Sequence, residues 1–451
     1  MRSTKAQFSI LLLSYAILRL FSYAFPPDHF TNTILTLGIT ILASVFLLKK
    51  NTFGWYIVAG ELILGGTGTF LQAFSLTLRS YLLLISLSIF FIQEWKNISW
   101  YKRKIIGILL LLTAISFSFV HGWQAGHQIT TMLSTSVPYL FLLYYFPLQK
   151  LLQNEDWKRW CLTALGATIV GQTLFLLFTF IGFASGQFLL QGAYYHWFRD
   201  IVGGKITWVA FNFYRIVINE QLLLIPVLLY TVKQLIDRQS KLNYIYWFLL
   251  LLLLSINITR IYLIALIFGL ILLFNKTNWK RWLTFTSLTL ATFLFIFSLT
   301  YLAASGGKSF GLEVFGLRLQ SIVAPRIEDS SLSRVLLLPK VLALINTHPL
   351  IGNGLGSVVT IFSPVTKQTI TTNQLDWGYL QIIAELGMIG FLIWTFFLTT
   401  IFSKLKKTAG WPLASFGALL IINITSPALF HVFGIIWLTF LLARSNDACP
   451  Q

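Results

Sequence analysis

Long apolar segments, separated by short polar ones, follow one another along most of this 451-residue chain. A membrane-spanning helix needs about 20 mostly apolar residues. Fourteen segments are candidates: 7–25, 31–48, 54–74, 81–95, 104–121, 130–148, 160–186, 207–232, 243–258, 260–275, 281–303, 377–402, 410–425 and 427–443. Two pairs of these segments are very closely spaced. The pattern therefore predicts an all-α polytopic membrane protein with 12–14 transmembrane helices.

Composition supports the membrane class. Apolar residues make up 56% of the chain and charged residues only 10%, whereas soluble domains carry about 25% charged residues. This excludes a soluble globular enzyme, a disordered protein and a fibrous protein. The two cysteines, Cys161 and Cys449, provide neither a disulfide framework nor a zinc site.

The distribution of basic residues along the chain indicates the membrane topology. The chain has 33 Lys and Arg against 14 Asp and Glu, a net charge of +19. With both termini in the cytoplasm, the cytoplasmic segments hold 21 basic and five acidic residues, as the positive-inside rule requires. We therefore expect both termini to be cytoplasmic and no nucleic-acid partner.

One polar segment is much longer than the others and divides the chain. We predict an N-terminal transmembrane bundle over 1–206, transmembrane helices with arginine-bearing outer ends over 207–303, an extracytoplasmic loop over 304–376, and C-terminal transmembrane helices over 377–451. Long loops in compact proteins tend to be functional. This loop carries basic residues that topology does not require, so we expect the chemistry on the extracytoplasmic face.

Short helices are predicted inside the long loop. Ser330 or Ser331 can cap a helix start, and apolar residues follow at helical spacing. Pro339 should kink or divide this helix, and His348 and Pro349 end it. Beyond the loop, Asp376 precedes the next span and Glu385 lies inside it, where a carboxylate is expensive and usually functional or paired.

Two motifs in this region resemble those of the O-antigen ligase and O-antigen polymerase superfamily of bacterial membrane glycosyltransferases, which have GT-C-like folds. The first consists of His348-Pro349-Leu350 with Gly352, Gly354 and Gly356. The second consists of Tyr379-Leu380, Ala384-Glu385, Gly387 and Gly390. Three arginines also resemble arginines of the family pattern: Arg215, Arg260 and Arg334. The resemblance covers about 205–400 and the overall topology.

One position departs from the ligase pattern. Ligases of this family have a histidine nine residues before the motif glutamate, and here that position is Asp376, followed by Trp377. Polymerase-like relatives more often carry an acidic residue there. The departure favours a polymerase or a divergent member.

The resemblance implies transfer of a glycan from a polyprenyl-pyrophosphate carrier to an acceptor sugar hydroxyl, in the bacterial cytoplasmic membrane. Arginine suits a pyrophosphate because its planar guanidinium binds phosphate oxygens in pairs. The implied residues are Asp376 and Glu220 as catalytic bases; Arg215, Arg260, Arg334 and Arg326 on the pyrophosphate; and His348, Gly352, Gly354, Tyr379 and Glu385 in support.

We expect no metal and no cofactor for this reaction. The expected partners are the lipid-linked glycan donor, the glycan acceptor, membrane lipid and a chain-length regulator.

Structural roles compete with these assignments. Arg215 and Arg260 can extend from helix ends to the membrane surface, Asp376 can cap a helix, and Glu385 can pair with an arginine.

Two other functions also fit the sequence. One is ligation of a glycan to a lipid or protein acceptor, and the other is transport or flipping of lipid-linked sugars. A transporter would have a two-sided pathway, whereas an enzyme would have an outward cavity closed below.

Overall fold

A computed structural model describes residues 2–97, 103–324, 329–363, 368–373, 375–408 and 410–444. The chain is about 76% helical. The described α-helices are α1 (Arg2–Ala24), α2 (Phe30–Leu48), α3 (Thr52–Leu64), α4 (Leu78–Glu94), α5 (Arg103–Gln124), α6 (Ile129–Leu140), α7 (Tyr145–Leu151), α8 (Glu155–Ala184), α9 (Ala193–Asp200), α10 (Leu224–Asp237), α11 (Lys241–Asn257), α12 (Arg260–Leu272), α13 (Trp279–Ala304), α14 (Leu312–Val323), α15 (Asp329–Thr347), α16 (Gly378–Thr408), α17 (Trp411–Ile422) and α18 (Val432–Arg444).

Three antiparallel hairpins and several short 3-10 helices complete the described secondary structure. They pair β1 (Gln72–Ala73) with β2 (Leu76–Thr77), β3 (Gly204–Ala210) with β4 (Phe213–Ile218), and β5 (Val359–Ser363) with β6 (Gln368–Thr372). These sheets are small, and the core lies between helices. The all-α class predicted from the sequence is therefore shown.

Among the described residues, seven helical stretches are long and apolar enough to cross a membrane: Lys5–Ala24, Phe30–Leu48, Ile105–Gln124, Ile129–Leu151, Glu155–Ala184, Lys276–Ala304 and Gly378–Lys407. Five further apolar helices have 10–17 residues: Thr52–Leu64, Lys241–Asn257, Arg260–Leu272, Trp411–Ile422 and Val432–Arg444. The membrane character predicted from the sequence is thus shown by the helices. The count of 12–14 spans and the orientation stay predictions.

The segment 207–232 differs from its predicted single span. Its first part is the β3–β4 hairpin, and only its second part is helical, in α10. Both strands are rich in β-branched and aromatic residues, which favour strands. Phe211 and Asn212 in the turn have φ angles of 46° and 59°, as a tight hairpin turn of right-handed twist needs.

The segment 304–376 contains the short helices expected for it, α14 and α15, together with the β5–β6 hairpin. α15 starts near the predicted serine caps and continues through Pro339 without a division. A small apolar cluster joins α15, β5 and the start of α16. Its buried members are Leu337, Val341, Val359, Ile361, Leu375 and Ala384.

Helix α16 is interrupted at Gly387, whose φ of 71° and ψ of −176° are not helical. The interruption exposes backbone groups that a continuous helix would bond internally. Those groups bond the glycine-containing loop after α15. Four hydrogen bonds connect the two segments: Asn353 N–H to Ala384 C=O (2.8 Å), Gly354 N–H to Glu385 C=O (3.1 Å), Met388 N–H to Pro349 C=O (2.9 Å) and Ile389 N–H to Leu350 C=O (3.1 Å).

Glycine is required on both sides of this contact. A Cβ at Gly352 would overlap the backbone of Glu385 and Gly387, and a Cβ at Gly387 would overlap the backbone of Leu350 and Gly352. Both residues also have positive φ angles, which only glycine adopts without cost. The two sequence motifs therefore supply the two segments that form one backbone contact.

We predict that Gly387→Ala destabilises the protein by about 2 kcal/mol or more, because it combines a left-handed conformation with backbone overlap. The measurement is thermal unfolding of the purified protein in detergent. Gly38→Ala is the control, since nothing lies within 4 Å of a Cβ at Gly38 in α2. Equal unfolding temperatures for the two variants would contradict the role given to Gly387.

Candidate functional site

The β3–β4 hairpin places two cations on one face. Thr207 pairs with Arg215 and Lys205 pairs with Val217. Cross-strand partners share a face, and residues two apart along a strand do so as well. Lys205 and Arg215 therefore project from the same side of the hairpin.

The turn between α11 and α12 fixes the guanidinium of Arg215. Arg215 Nε donates to the carbonyl oxygen of Asn257 at 3.0 Å, and Nη2 donates to Thr259 Oγ1 at 2.9 Å. Asn257 Nδ2 in turn donates to Gln221 Oε1 at 2.5 Å. These bonds hold the Arg215 guanidinium in one position, whereas an arginine on an open surface would move freely.

This turn is strained. Ile258 has a φ of 40° and a ψ of 38° and is 1% exposed. β-Branched residues rarely adopt this left-handed conformation, and such strain concentrates at functional sites. The strain allows one turn to present Asn257 and Thr259 to Arg215 and to begin α12 with Arg260. Arg260 Nη1 donates to Ser321 Oγ in α14, which connects the turn to the 304–376 segment.

Asp376 lies just before α16 and faces α15. Its Oδ2 is 4.0 Å from Arg334 Nε, and the two side chains are 43% and 30% exposed. Trp377 Nε1 donates to the carbonyl oxygen of Arg334 at 3.2 Å. Asp376 has a φ of 53°, an uncommon conformation that aspartate tolerates better than most residues. Both the carboxylate and the guanidinium can therefore reach a ligand.

Lys205 of the hairpin is electrostatically coupled to Asp376 and Arg334. Desolvation raises the pKa of Asp376 above its ordinary value, while the charges of Arg334 and Lys205 lower it. Desolvation lowers the pKa of Lys205, the charges of Arg215 and Arg334 lower it further, and the charge of Asp376 raises it. We call Lys205, Arg215, Arg334 and Asp376 the cation cluster.

The predicted site residues thus fall into two groups. The structure places Arg334 Nε and Asp376 Oδ2 4.0 Å apart. Lys205 is coupled electrostatically to both of these residues and to Arg215. Arg260 adjoins Arg215 through the same turn as Thr259. Arg326 lies outside the described residues. Lys205 is a member that the sequence analysis missed. Lys205 lies just before the segment 207–232, which was assigned to a single apolar span although its first part belongs to the β3–β4 hairpin.

Glu220, the second predicted base, forms a buried ion pair with Arg19. Its Oε1 accepts a hydrogen bond from Arg19 Nη2 at 2.8 Å, and the two side chains are 6% and 4% exposed. Arg79 and Glu61 form a second buried ion pair at 3.0 Å. The first pair ties α1 to the segment that follows β4, and the second ties α3 to α4. Glu220 therefore supports the hairpin.

The remaining predicted residues lie in α16 or in the segment that follows α15. Glu385 is fully buried and forms no ion pair with another described residue. Ser118 Oγ donates to its backbone carbonyl oxygen at 2.8 Å. His348 contacts His121 ring edge to face at 5.8 Å between centroids. Tyr379 donates its hydroxyl to the carbonyl oxygen of Leu420 at 2.7 Å. Gly352 and Gly354 shape the backbone contact with α16.

In the part of the chain that the structure describes, no group of three or more His, Cys, Asp and Glu side chains could hold a metal ion. The chemistry available at the cation cluster is binding of a multiply charged anion beside one carboxylate. The arginines can bind phosphate oxygens in pairs, and Asp376 can accept a proton.

Comparisons with models of known protein families, with curated proteins and with solved structures found no match to this chain. The resemblance to the O-antigen ligase and polymerase superfamily therefore stays a hypothesis based on the order and spacing of the motifs.

We predict that the purified protein binds inorganic pyrophosphate and that Lys205→Ala or Arg334→Ala weakens this binding about tenfold, because each removes a charge-assisted hydrogen bond. The measurement is calorimetric titration in detergent. Arg199→Ala is the control, because Arg199 is 52% exposed and paired with Asp200. Equal affinity for all variants would exclude the cation cluster as the binding site.

Proposed function

We propose that this protein is a membrane glycosyltransferase that moves a glycan from a polyprenyl-pyrophosphate carrier to an acceptor sugar hydroxyl on the extracytoplasmic face of a bacterial cytoplasmic membrane. The cation cluster is the observation that supports the proposal. It combines three cations, which suit a diphosphate, with one accessible carboxylate, which suits a hydroxyl acceptor.

The reaction is a displacement at the anomeric carbon. Asp376 takes the proton of the acceptor hydroxyl as the new carbon–oxygen bond forms. The bond between the anomeric carbon and the phosphate oxygen breaks, and its electron pair leaves with the polyprenyl pyrophosphate. Direct in-line displacement inverts the anomeric centre. The desolvation that raises the pKa of Asp376 also makes it a stronger base than an ordinary aspartate.

The three cations have different tasks in this proposal. Arg215 is oriented by Asn257 and Thr259, so it can stabilise charge on the leaving group without reorganising. Arg334 lies 4.0 Å from Asp376 and connects the diphosphate to the base. Lys205 supplies a mobile point charge. We propose Arg260, which adjoins Arg215, as a fourth diphosphate ligand.

Growth of a surface polysaccharide is the task we propose for the transferase. The acidic residue at 376, where ligases have histidine, supports polymerisation over ligation to a lipid or protein. A chain-length regulator would then be a partner.

The direct test is reconstitution in vesicles with a lipid-linked oligosaccharide donor, followed by separation of the products by length. We predict longer chains with the wild-type protein. Asp376→Asn should reduce the rate by about a hundredfold or more, as expected for loss of a general base, and Arg215→Ala should act in the same direction. Arg199→Ala is the matched control for a lost positive charge.

Three results would contradict this proposal. Normal elongation by Asp376→Asn would exclude Asp376 as the base. Movement of the donor across the vesicle membrane without any transfer would support a transporter. Transfer of a single chain to a lipid acceptor without elongation would support a ligase.

A pH profile tests the coupling between Arg334 and Asp376. Asp376 must be deprotonated to act as a base, so the rate falls as the pH falls through its pKa. Arg334 lowers that pKa, and Arg334→Gln should therefore shift the acidic limb of the pH–rate profile to higher pH. The measurement is initial elongation rate between acidic and neutral pH. A limb that stays in place, or moves to lower pH, would contradict the coupling.

A further inference from the structure

A cavity of about 240 Å³ lies where several apolar helices end together. α2 ends at Leu48, α4 at Glu94 and α7 at Leu151, and α8 begins at Glu155. Three stretches that end or begin here, Phe30–Leu48, Ile129–Leu151 and Glu155–Ala184, are long and apolar enough to span a membrane, and such helices end at the boundary between hydrocarbon and water. The cavity therefore lies at a membrane surface.

The cavity has an apolar wall and a polar rim. Its apolar wall includes Leu47, Trp55, Ile89 and Phe90. Its rim includes Lys50, Gln93, Glu94 and Lys150. An apolar wall below a charged rim suits an amphiphilic ligand rather than a polar, water-soluble one.

Two lysines, Lys50 and Lys150, and one glutamate, Glu94, give the described rim residues a net charge of +1. Lys150 Nζ pairs with Glu94 Oε2 at 2.5 Å, and Lys150 remains 55% exposed. Lys50 is exposed and forms no ion pair with another described residue. Gln93 Nε2 donates to the carbonyl oxygens of Leu47 and Leu48, at 3.1 and 3.3 Å, which fixes the end of α2 beside the rim.

Lys50 occupies a position where glycine is usual. Its φ is 54°, and its N–H donates to the carbonyl oxygen of Leu47 at 2.9 Å as the chain leaves α2. A left-handed conformation is unfavourable for a residue with a Cβ, yet a lysine stands there. The conformation directs the chain so that Lys50 becomes part of the cavity rim.

We propose that this cavity binds one anionic phospholipid. The phosphate lies against Lys50 and Lys150, and an acyl chain follows Ile89 and Phe90. Basic pockets between transmembrane helices bind anionic lipid headgroups in this way. A single net positive charge fits a headgroup with one negative charge. The proposal is separate from the cation cluster and does not depend on the proposed transferase activity.

The test is native mass spectrometry of the purified full-length protein, titrated with phosphatidylglycerol or with phosphatidylcholine of the same acyl chains. Lys50→Gln and Lys150→Gln should each weaken phosphatidylglycerol binding about fivefold, since a lysine near a headgroup contributes about 1 kcal/mol. Lys49→Gln is the matched control. It removes the same charge from the adjacent exposed residue, which does not line the cavity.

The outcomes separate the possibilities. Weaker binding in Lys50→Gln and Lys150→Gln, with Lys49→Gln unchanged, would support the proposal. An equal loss in all three variants would show attraction to general surface charge and overturn it. Unchanged binding in Lys50→Gln and Lys150→Gln, or equal affinity for phosphatidylcholine, would also overturn it. Unfolding temperatures of the variants establish that the compared proteins are folded.

Discussion

The backbone contact between the interrupted helix α16 and the loop after α15 is the constraint on which the candidate site depends. A helix break inside an apolar span leaves carbonyl and amide groups that must find partners. Here the loop 349–354 supplies them through four hydrogen bonds. The contact fixes α15 against α16 and so sets the separation of Arg334 from Asp376. The buried cluster that includes Leu337 and Leu375 reinforces the same arrangement.

The other half of the site depends on buried polar contacts at the base of the hairpin. The ion pair of Arg19 with Glu220 is almost fully buried, and a buried pair is costly to break because one charge would be left uncompensated. It ties the N-terminal helices to the segment directly after β4. On the opposite side, the strained turn at Ile258 presents Asn257 and Thr259 to Arg215. The ion pair beside β4 and the turn at Ile258 therefore both contribute to the position of the Arg215 guanidinium.

The sequence predicts the parts of this structure that follow from local pattern. Length and apolarity predicted the long helices, and the serines before the apolar repeat predicted α15. Arg215, Arg334 and Asp376 were identifiable from the motifs. Lys205 was not, because its place on the same face as Arg215 depends on the pairing of β3 with β4, where the sequence predicted a single span over 207–232. The partners of Glu220 and the surroundings of Glu385 depend on contacts over long sequence separations, for example Arg19 with Glu220, which no local pattern encodes.

The most direct measurement of the central claim is an electron cryomicroscopy structure of Asp376→Asn with a polyprenyl-pyrophosphate-linked sugar. The substitution removes the proposed base and keeps the side-chain volume, so the donor should remain intact. We predict that the diphosphate lies within hydrogen-bonding distance of Arg215 and Arg334, with the anomeric carbon facing residue 376. A diphosphate bound away from these residues, or a continuous two-sided passage around the lipid, would contradict the proposed transferase.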